Sequence, residues 1–325
     1  MKSAIFVSAL FALYFQSCAA EELAERTDFP PVVMENTEIR TLHSDTIGET
    51  YKLLIAKPFG RPPQPNEKYP VIYVLDAEIA FPMVRQIAMS LQFGLEAPPA
   101  LIVGIAYSGD PRRTLALRAR DFTPTFDDTY AQYAVKWEGG TGREDSLGKA
   151  EDFLVFMRDE VAPFVEENYD ADPNNATLFG SSFGGLFAAY ALLTEPNNFR
   201  RYILSSPSLW WDSRYIFDLE SQYADTHNDL DATVFIAAGG HERKEYGEKM
   251  IERAPPRMRQ ATEDFKALLG DGAQMVEVVE PFVAQLNARN YESLNLTLHI
   301  FPEETHSSTP PMAVSRGLRV VFEKQ

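Results

Sequence analysis

The nine residues Leu178 to Leu186 read LFGSSFGGL, and inside them lies Gly180-x-Ser182-x-Gly184. This is the spacing of a nucleophile elbow. A short apolar stretch ends at Gly180, and a helical pattern rich in Ala and Leu runs from Gly184 to Leu193. The physical demand on such a stretch is severe. The serine must sit on a sharp, strained turn between strand and helix so that its hydroxyl stands clear of the sheet. The residues two before and two after come close to neighbouring backbone and must be small. Gly180 and Gly184 meet that demand, and Gly185 lets the new helix pack close to its strand. The helix N-terminus behind Ser182 favours negative charge developing in front of it.

An elbow of this kind needs a sheet to project from, and the chain supplies one. Thr37–Leu42 and Tyr51–Lys57 read as two β segments joined near Ile47-Gly48-Glu49, followed by a Pro-rich polar surface loop over residues 60–69. Val71-Ile72-Tyr73-Val74-Leu75-Asp76 is a near-continuous apolar run, the appearance of a strand buried on both faces of a parallel sheet. A helical stretch to about Phe93 and a second buried strand, Leu101–Ala106, come next. Strands alternating with helices predict an α/β fold with a mostly parallel central sheet and helices on both faces. Further strands are expected at Tyr202–Ser205, Val234–Ala238 and Leu294–Phe301, with helices at Phe153–Val165, through 246–290 with breaks near Pro255-Pro256 and Gly270, and at Met312–Phe322. Residues 107–150, with Asp121, Trp137 and Gly139-Gly140, lack strong periodicity and read as a long polar loop.

The amino terminus differs from the rest. Lys2 precedes an apolar run from Ala4 to Phe15, then Ser17-Cys18-Ala19-Ala20 before Glu21-Glu22. This predicts a secretory signal at residues 1–20, cleaved after Ala20, and one mature domain over 21–325. Phe15-Gln16-Ser17-Cys18 also loosely resembles a lipobox, which would make Cys18 a lipidated first residue. Both readings export the protein to the periplasm or beyond. Cys18 is the only cysteine, so no disulfide framework is expected after cleavage. No later apolar run is long enough to cross a bilayer. The formal charge of -17, from 30 Lys and Arg against 47 Asp and Glu, opposes binding to nucleic acid or to an anionic membrane.

An acyl-transfer serine needs a base, a carboxylate that orients the base, and donors for the oxyanion. Downstream of Ser182 stand His227, His241, His299 and His306. His227 lies in a polar loop and His299 within a strand. His306 follows the last strand by the short loop Pro302-Glu303-Glu304-Thr305, where an elbow-bearing fold carries its base. The orienting acid belongs after the preceding strand, which selects Glu242. His241 is a rival base, Glu303 and Glu304 rival acids, and Asp231 precedes its strand and lies at the wrong end. The expected oxyanion donors are the backbone amides of Phe183 and of Ala77, or Glu78 in its place. No HExxH, no Cys/His pair of ligand spacing, no P-loop and no dinucleotide glycine pattern is present, so no metal or cofactor is expected.

At these residues the chain resembles the esterase family of the α/β-hydrolase superfamily that includes the siderophore esterases of the enterobactin and salmochelin type. The matching segments are Val71–Asp76, Ile102-Val103-Gly104-Ile105-Ala106-Tyr107, Arg118-Ala119-Arg120-Asp121-Phe122-Thr123-Pro124, Gly180–Gly185, Ser206-Pro207-Ser208-Leu209-Trp210-Trp211-Asp212 and Thr305-His306. The resemblance implies Ser182 as nucleophile, His306 as base, and an oxyanion donor at Ala77. Some relatives look like serine–histidine dyads, which leaves the role of Glu242 open. Glu252 to Ala273 looks longer than its counterpart in relatives. Trp210 and Trp211 are read either as a platform for an aromatic substrate ring or as a packed corner under the elbow. Arg118 and Arg120 would attract an anionic substrate, or Arg120-Asp121 would instead hold the long loop by ion pairs. The expected function is an exported serine esterase working through an acyl-enzyme on a small ester, a siderophore trilactone first. Feruloyl or acetyl ester cleavage on plant polysaccharide is the alternative within the enzyme class, and a catalytically silent binding fold is the alternative outside it.

Overall fold

The structure, a computed structural model, describes residues 32–60, 67–109, 111–137, 146–256, 258–269 and 274–323. The expected signal segment, Cys18 and Gly139-Gly140 lie outside those residues. Among the described residues eight strands form one sheet: β1 (Thr37–His43), β2 (Thr50–Ala56), β3 (Tyr69–Val74), β4 (Leu101–Tyr107), β5 (Ala171–Ser181), β6 (Arg201–Ser205), β7 (Ala232–Gly239) and β8 (Leu294–Phe301). Their spatial order is β1-β2-β4-β3-β5-β6-β7-β8. The first two strands enter antiparallel, β1 against β2 and β2 against β4, and every later pairing is parallel.

The strand sequences explain their burial. Alternate residues of β3, β6 and β7 face opposite sides, and both sides are apolar. Ile72, Val74, Ile203 and Phe235 pack with α1 (Ala77–Phe93) and the last helix on one face. Val71, Tyr73, Tyr202, Val234 and Ile236 pack on the other with Phe153, Phe187 and Phe282. A strand covered on both faces has no need of polar alternation, which is why these runs are almost continuously hydrophobic.

Residues 107–150 differ from the sequence reading. The structure has two helices there, α2 (Pro111–Phe122) and α3 (Asp128–Trp137). The apolar period of α2 is obscured because the face it buries carries charge. Asp121 is fully buried, accepting from Tyr51 Oη at 2.7 Å and from Arg120 Nε at 2.7 Å. Pattern reading takes such residues for solvent-facing ones. Beyond it, α4 (Ala150–Phe156) passes through a π turn, Met157–Val161, into α5 (Ala162–Asn168). The remaining α-helices among the described residues are α6 (Phe183–Thr194), α7 (Trp211–Thr226), α8 (Lys244–Arg253), α9 (Arg259–Leu269), α10 (Met275–Arg289) and α11 (Thr309–Phe322). Helix α7 begins at the second tryptophan of the matched segment, Trp211, a stretch the periodicity did not mark.

The register levels the carboxyl ends of the central strands. Ser181 lies opposite Ser205, Ser205 opposite Ala237, and Gly239 opposite Phe301. The loops that leave these ends carry Ser182, Ser206, Glu242 and His306 along one edge, where ligands of open α/β sheets bind. Among the described residues no helix is long and apolar enough to cross a membrane.

Candidate active site

Ser182 joins β5 directly to α6 with φ 58° and ψ -119°. A side chain rarely adopts this backbone conformation, and the surrounding packing must hold it there. The neighbours do so. A Cβ on Gly180 would stand 2.1 Å from the Gly184 carbonyl oxygen, so the turn closes only with glycine at that position. The Ser182 amide donates to the Ser205 carbonyl at 3.0 Å, and the Ser208 amide donates to the Ser182 carbonyl at 3.0 Å. The Ser182 hydroxyl has Ser208 Oγ at 3.4 Å.

Glu242 and His306 are brought together. Nδ1 of the imidazole and Oε2 of the carboxylate are 2.6 Å apart. The Glu242 side chain is 5% exposed and that of His306 41%. Burial by itself raises the carboxyl's pKa. The neighbouring His306, the Ser206 hydroxyl and the Gly239 amide outweigh it and hold Glu242 below the ordinary carboxylate value. With Nδ1 committed to Glu242, Nε2 is the imidazole nitrogen left to face a reacting group, and it has no hydrogen-bond partner among the described residues.

The junction depends on close backbone approach at the tip of β7. A Cβ at Gly239 would lie 2.3 Å from the Glu304 carbonyl oxygen, and one at Gly240 would lie 2.2 Å from that of Pro302. The two glycines let the loop after β8 settle onto β7, where the His241 amide donates to the Glu304 carbonyl at 2.9 Å. That contact carries His306 to Glu242. The pair Gly239-Gly240 was visible in the sequence and had no assigned role, as did the hydroxyl residues Ser206, Ser208 and Thr309, which border the site.

The other histidines sit elsewhere. His227 stacks on Tyr223 at the end of α7, with ring centroids 4.1 Å apart. His299 lies in β8 beside Phe301, and burial lowers its pKa. His241 packs its ring on Tyr246. Glu303 and Glu304 lie in the turn after β8, and neither makes a side-chain hydrogen bond or ion pair among the described residues.

Phe183 and Ala77 share a structural status. Each is the first residue of its helix, α6 and α1. The first amides of a helix have no intrahelical acceptor, and they meet the positive end of the helix dipole. Asp76, ahead of Ala77, has φ 53° and is gripped by the Arg118 guanidinium at 2.5 and 2.9 Å. The same guanidinium donates to the Ser181 carbonyl at 3.2 Å. Arg118 therefore ties together the two chain segments that lead into Ala77 and Ser182. It also lies over the Phe183 ring, 5.3 Å from its centroid. Arg120 is engaged with Asp121, with Tyr51 Oη at 3.3 Å and with Glu49 at 3.6 Å. Trp210 and Trp211 are both buried. Trp211 Nε1 donates to Thr125 Oγ1 at 3.0 Å, and its ring packs on Tyr130 and Phe183. Among the described residues no group of three or more His, Cys, Asp or Glu side chains is disposed to hold a metal ion.

The profile of the family described as "Putative esterase" matches residues 44–290. The chain belongs to this family. It is 32% identical over 291 residues to the ferri-bacillibactin esterase BesA of Bacillus subtilis, covering 87% of this chain and 88% of that one. It is 27% identical to the siderophore triacetylfusarinine C esterase of Aspergillus fumigatus, over 90% of this chain and 95% of that one. Among solved structures, the BES protein from Bacillus cereus superposes with a TM-score of 0.71 at 26% identity, covering 92% of this chain and 99% of that chain. An IroE-like serine hydrolase from Shewanella oneidensis gives 0.69 at 27% identity, over 88% and 80%. The fold is that of the α/β-hydrolases, and the chain is an ester-hydrolysing enzyme of the siderophore-esterase-like branch.

Proposed function

We propose that the enzyme cleaves a siderophore ester through a serine acyl-enzyme. The observation that carries the mechanism is the Glu242–His306 pair at 2.6 Å on the sheet edge that carries Ser182 on its strained turn. Ser182 Oγ attacks the ester carbonyl carbon as its proton passes to His306 Nε2. The carbonyl oxygen becomes an oxyanion that the Phe183 and Ala77 amides stabilise. Collapse breaks the acyl–oxygen bond, and the imidazolium returns its proton to the leaving alkoxide oxygen. Water, deprotonated by His306, then attacks the acyl-enzyme, releasing the acid and restoring Ser182. Glu242 fixes the Nδ1–H tautomer and stabilises the imidazolium in both halves.

The siderophore substrate is supported by the relatives, whose names describe esterases of ferri-bacillibactin and triacetylfusarinine C. Export is supported by the charged, apolar and small-residue pattern of residues 1–20. A hydrolysis panel tests the substrate: ferric and iron-free triscatecholate trilactones, methyl ferulate, acetylated xylan and short p-nitrophenyl esters. The expected result is the highest kcat/KM on a trilactone. Preference for methyl ferulate or acetylated xylan would move the enzyme to polysaccharide esters. Intact mass of the protein from its native envelope tests export: the expected chain starts at Glu21, and a diacylglyceryl Cys18 would show the lipidated form instead.

A further inference from the structure

The segment Ser206-Pro207-Ser208 leaves β6 between the elbow and the tip of β7, and it touches both. On one side, the Ser208 amide and hydroxyl meet the carbonyl and hydroxyl oxygens of Ser182. On the other, the Ser206 amide donates to the Ala237 carbonyl at 2.7 Å, and the Ser206 hydroxyl donates to Glu242 Oε1 at 2.5 Å. Pro207 fills the space that a Cβ on Gly185 would occupy, 2.8 Å from its own Cβ. The segment is thus seated against α6 as well.

We propose that Ser206 is a positioning residue for ester hydrolysis, holding the Glu242 carboxylate so that Oε2 faces His306. The inference rests on the serine relay proposed above. The division of donors between the two carboxylate oxygens is its main support. Oε1 receives Ser206 Oγ and the Gly239 amide at 2.7 Å, with Thr309 Oγ1 at 3.3 Å. Oε2 receives His306. Thr309 has one hydroxyl proton, and its oxygen stands closer to the Thr305 carbonyl, at 2.7 Å. Ser206 and the Gly239 amide are therefore the firm donors to Oε1. Two donors on one oxygen fix the plane of the carboxylate and leave the other oxygen for the imidazole.

The backbone of Ser206 sharpens the point. It is fully buried and has φ 43°, a conformation that glycine adopts at no steric cost. What serine adds there over glycine is the hydroxyl. Without it, a nearly buried carboxylate keeps its charge with one donor fewer. It then draws the proton it shares with His306 more strongly, since hydrogen bonds to the ionised form are what favour ionisation. Among the described residues His306 is the ionisable side chain within hydrogen-bond reach of Glu242. A weakened Ser206 contact therefore lowers turnover and moves the acidic limb of the rate profile to higher pH.

The test uses the full chain with a p-nitrophenyl ester, comparing wild type, Ser206→Gly, Ser206→Ala, Glu242→Gln and the double variant Ser206→Gly/Glu242→Gln. For Ser206→Gly we expect kcat to fall about 10- to 100-fold, the range for a hydrogen bond to a charged group. KM should change by less than about two-fold, since no substrate contact is removed. The acidic limb of kcat/KM should rise by about half a pH unit or more. The double variant should be no slower than Glu242→Gln alone. Ser206→Ala carries the same readouts if the glycine variant loses thermal stability. Wild-type kcat in the Ser206 variants, or a slowed enzyme with an unmoved limb and additive losses, overturns the proposal and leaves the relay standing. Full activity in Glu242→Gln overturns the role of Glu242 and of Ser206 together.

Discussion

Glu242 and His306 are 64 residues apart in the chain, and their side chains meet at 2.6 Å. One comes from the turn after β7 and the other from the loop after β8, so the contact exists only when those strands are paired. The carboxylate is nearly buried while the imidazole is partly open to solvent, the arrangement expected of an orienting acid behind a working base. Glu242→Gln keeps the shape and removes the charge. It should lower kcat by about 10²- to 10⁴-fold with little change in KM, because the lost stabilisation belongs to the transition state. Steady-state kinetics decide it. A variant at wild-type kcat beside an inactive His306→Ala would mean a dyad.

Ser182→Ala and His306→Ala should each cost about 10⁴- to 10⁶-fold in turnover. Ser182→Ala should also lose the covalent adduct with a fluorophosphonate, detected by intact mass, while its unfolding transition stays cooperative. An adduct that persists in Ser182→Ala would assign the nucleophile to another residue.

Gly180→Ala tests the elbow apart from its chemistry. The added methyl would overlap the Gly184 carbonyl, which belongs to the helix backbone and cannot rotate away. Strain at this level costs about 3 kcal/mol or more. Urea unfolding of the variant should show a large drop in midpoint, or the protein should fail to accumulate in soluble form.

Arg118→Ala should reach both stability and rate. Asp76 and Arg118 are 18% and 16% exposed, and removal of the guanidinium leaves Asp76 without its partner. Breaking a largely buried pair from one side costs about 3 to 5 kcal/mol in well-studied cases, with these more exposed side chains placed at or below the lower end. Because Asp76 leads into Ala77, kcat should fall along with Tm. A change confined to KM would point instead to a substrate contact by Arg118.

Glu78 gives a dependence on pH. Burial pushes its carboxyl up to about 7 from 4.5, against the Tyr107 amide that donates to it. The folded protein therefore binds more protons at this group than the unfolded chain does between about pH 4.5 and 7, and stability declines across that window as pH rises. Glu78→Gln has nothing to ionise and escapes the decline. Its stability relative to wild type should improve by about 1 to 3 kcal/mol between pH 4.5 and pH 8. Urea titrations at the two ends of the range measure this, and a flat difference would refute it.

The elbow, the parallel strands and the closing helix were legible because each is a local pattern. β8 begins and ends at the residues its composition suggested, Leu294 and Phe301. The long polar reading of 107–150 failed for the opposite reason. Helix α2 buries Asp121 by pairing it with Arg120 and Tyr51, and Tyr51 lies 70 residues earlier on β2. No window along the chain contains that partner.

The sequence by itself singled out Ser182 as the candidate nucleophile and determined the kind of sheet it stands on. A serine between spaced glycines, entered by an apolar run and left by a helix, has few ways to fold, and continuous hydrophobicity requires cover on both faces. It named His306 and Glu242 as candidates by their order after strands. Only the tertiary structure decided that they touch, that Gly239 and Gly240 make room for the touch, and that Ser206 bonds to the other carboxylate oxygen. It also decided that Trp210 and Trp211 are buried and that Arg118 is bound to Asp76 and Ser181. Those facts depend on the register of strands brought together from distant parts of the chain, and short-range hydrogen bonds form only after that register is set.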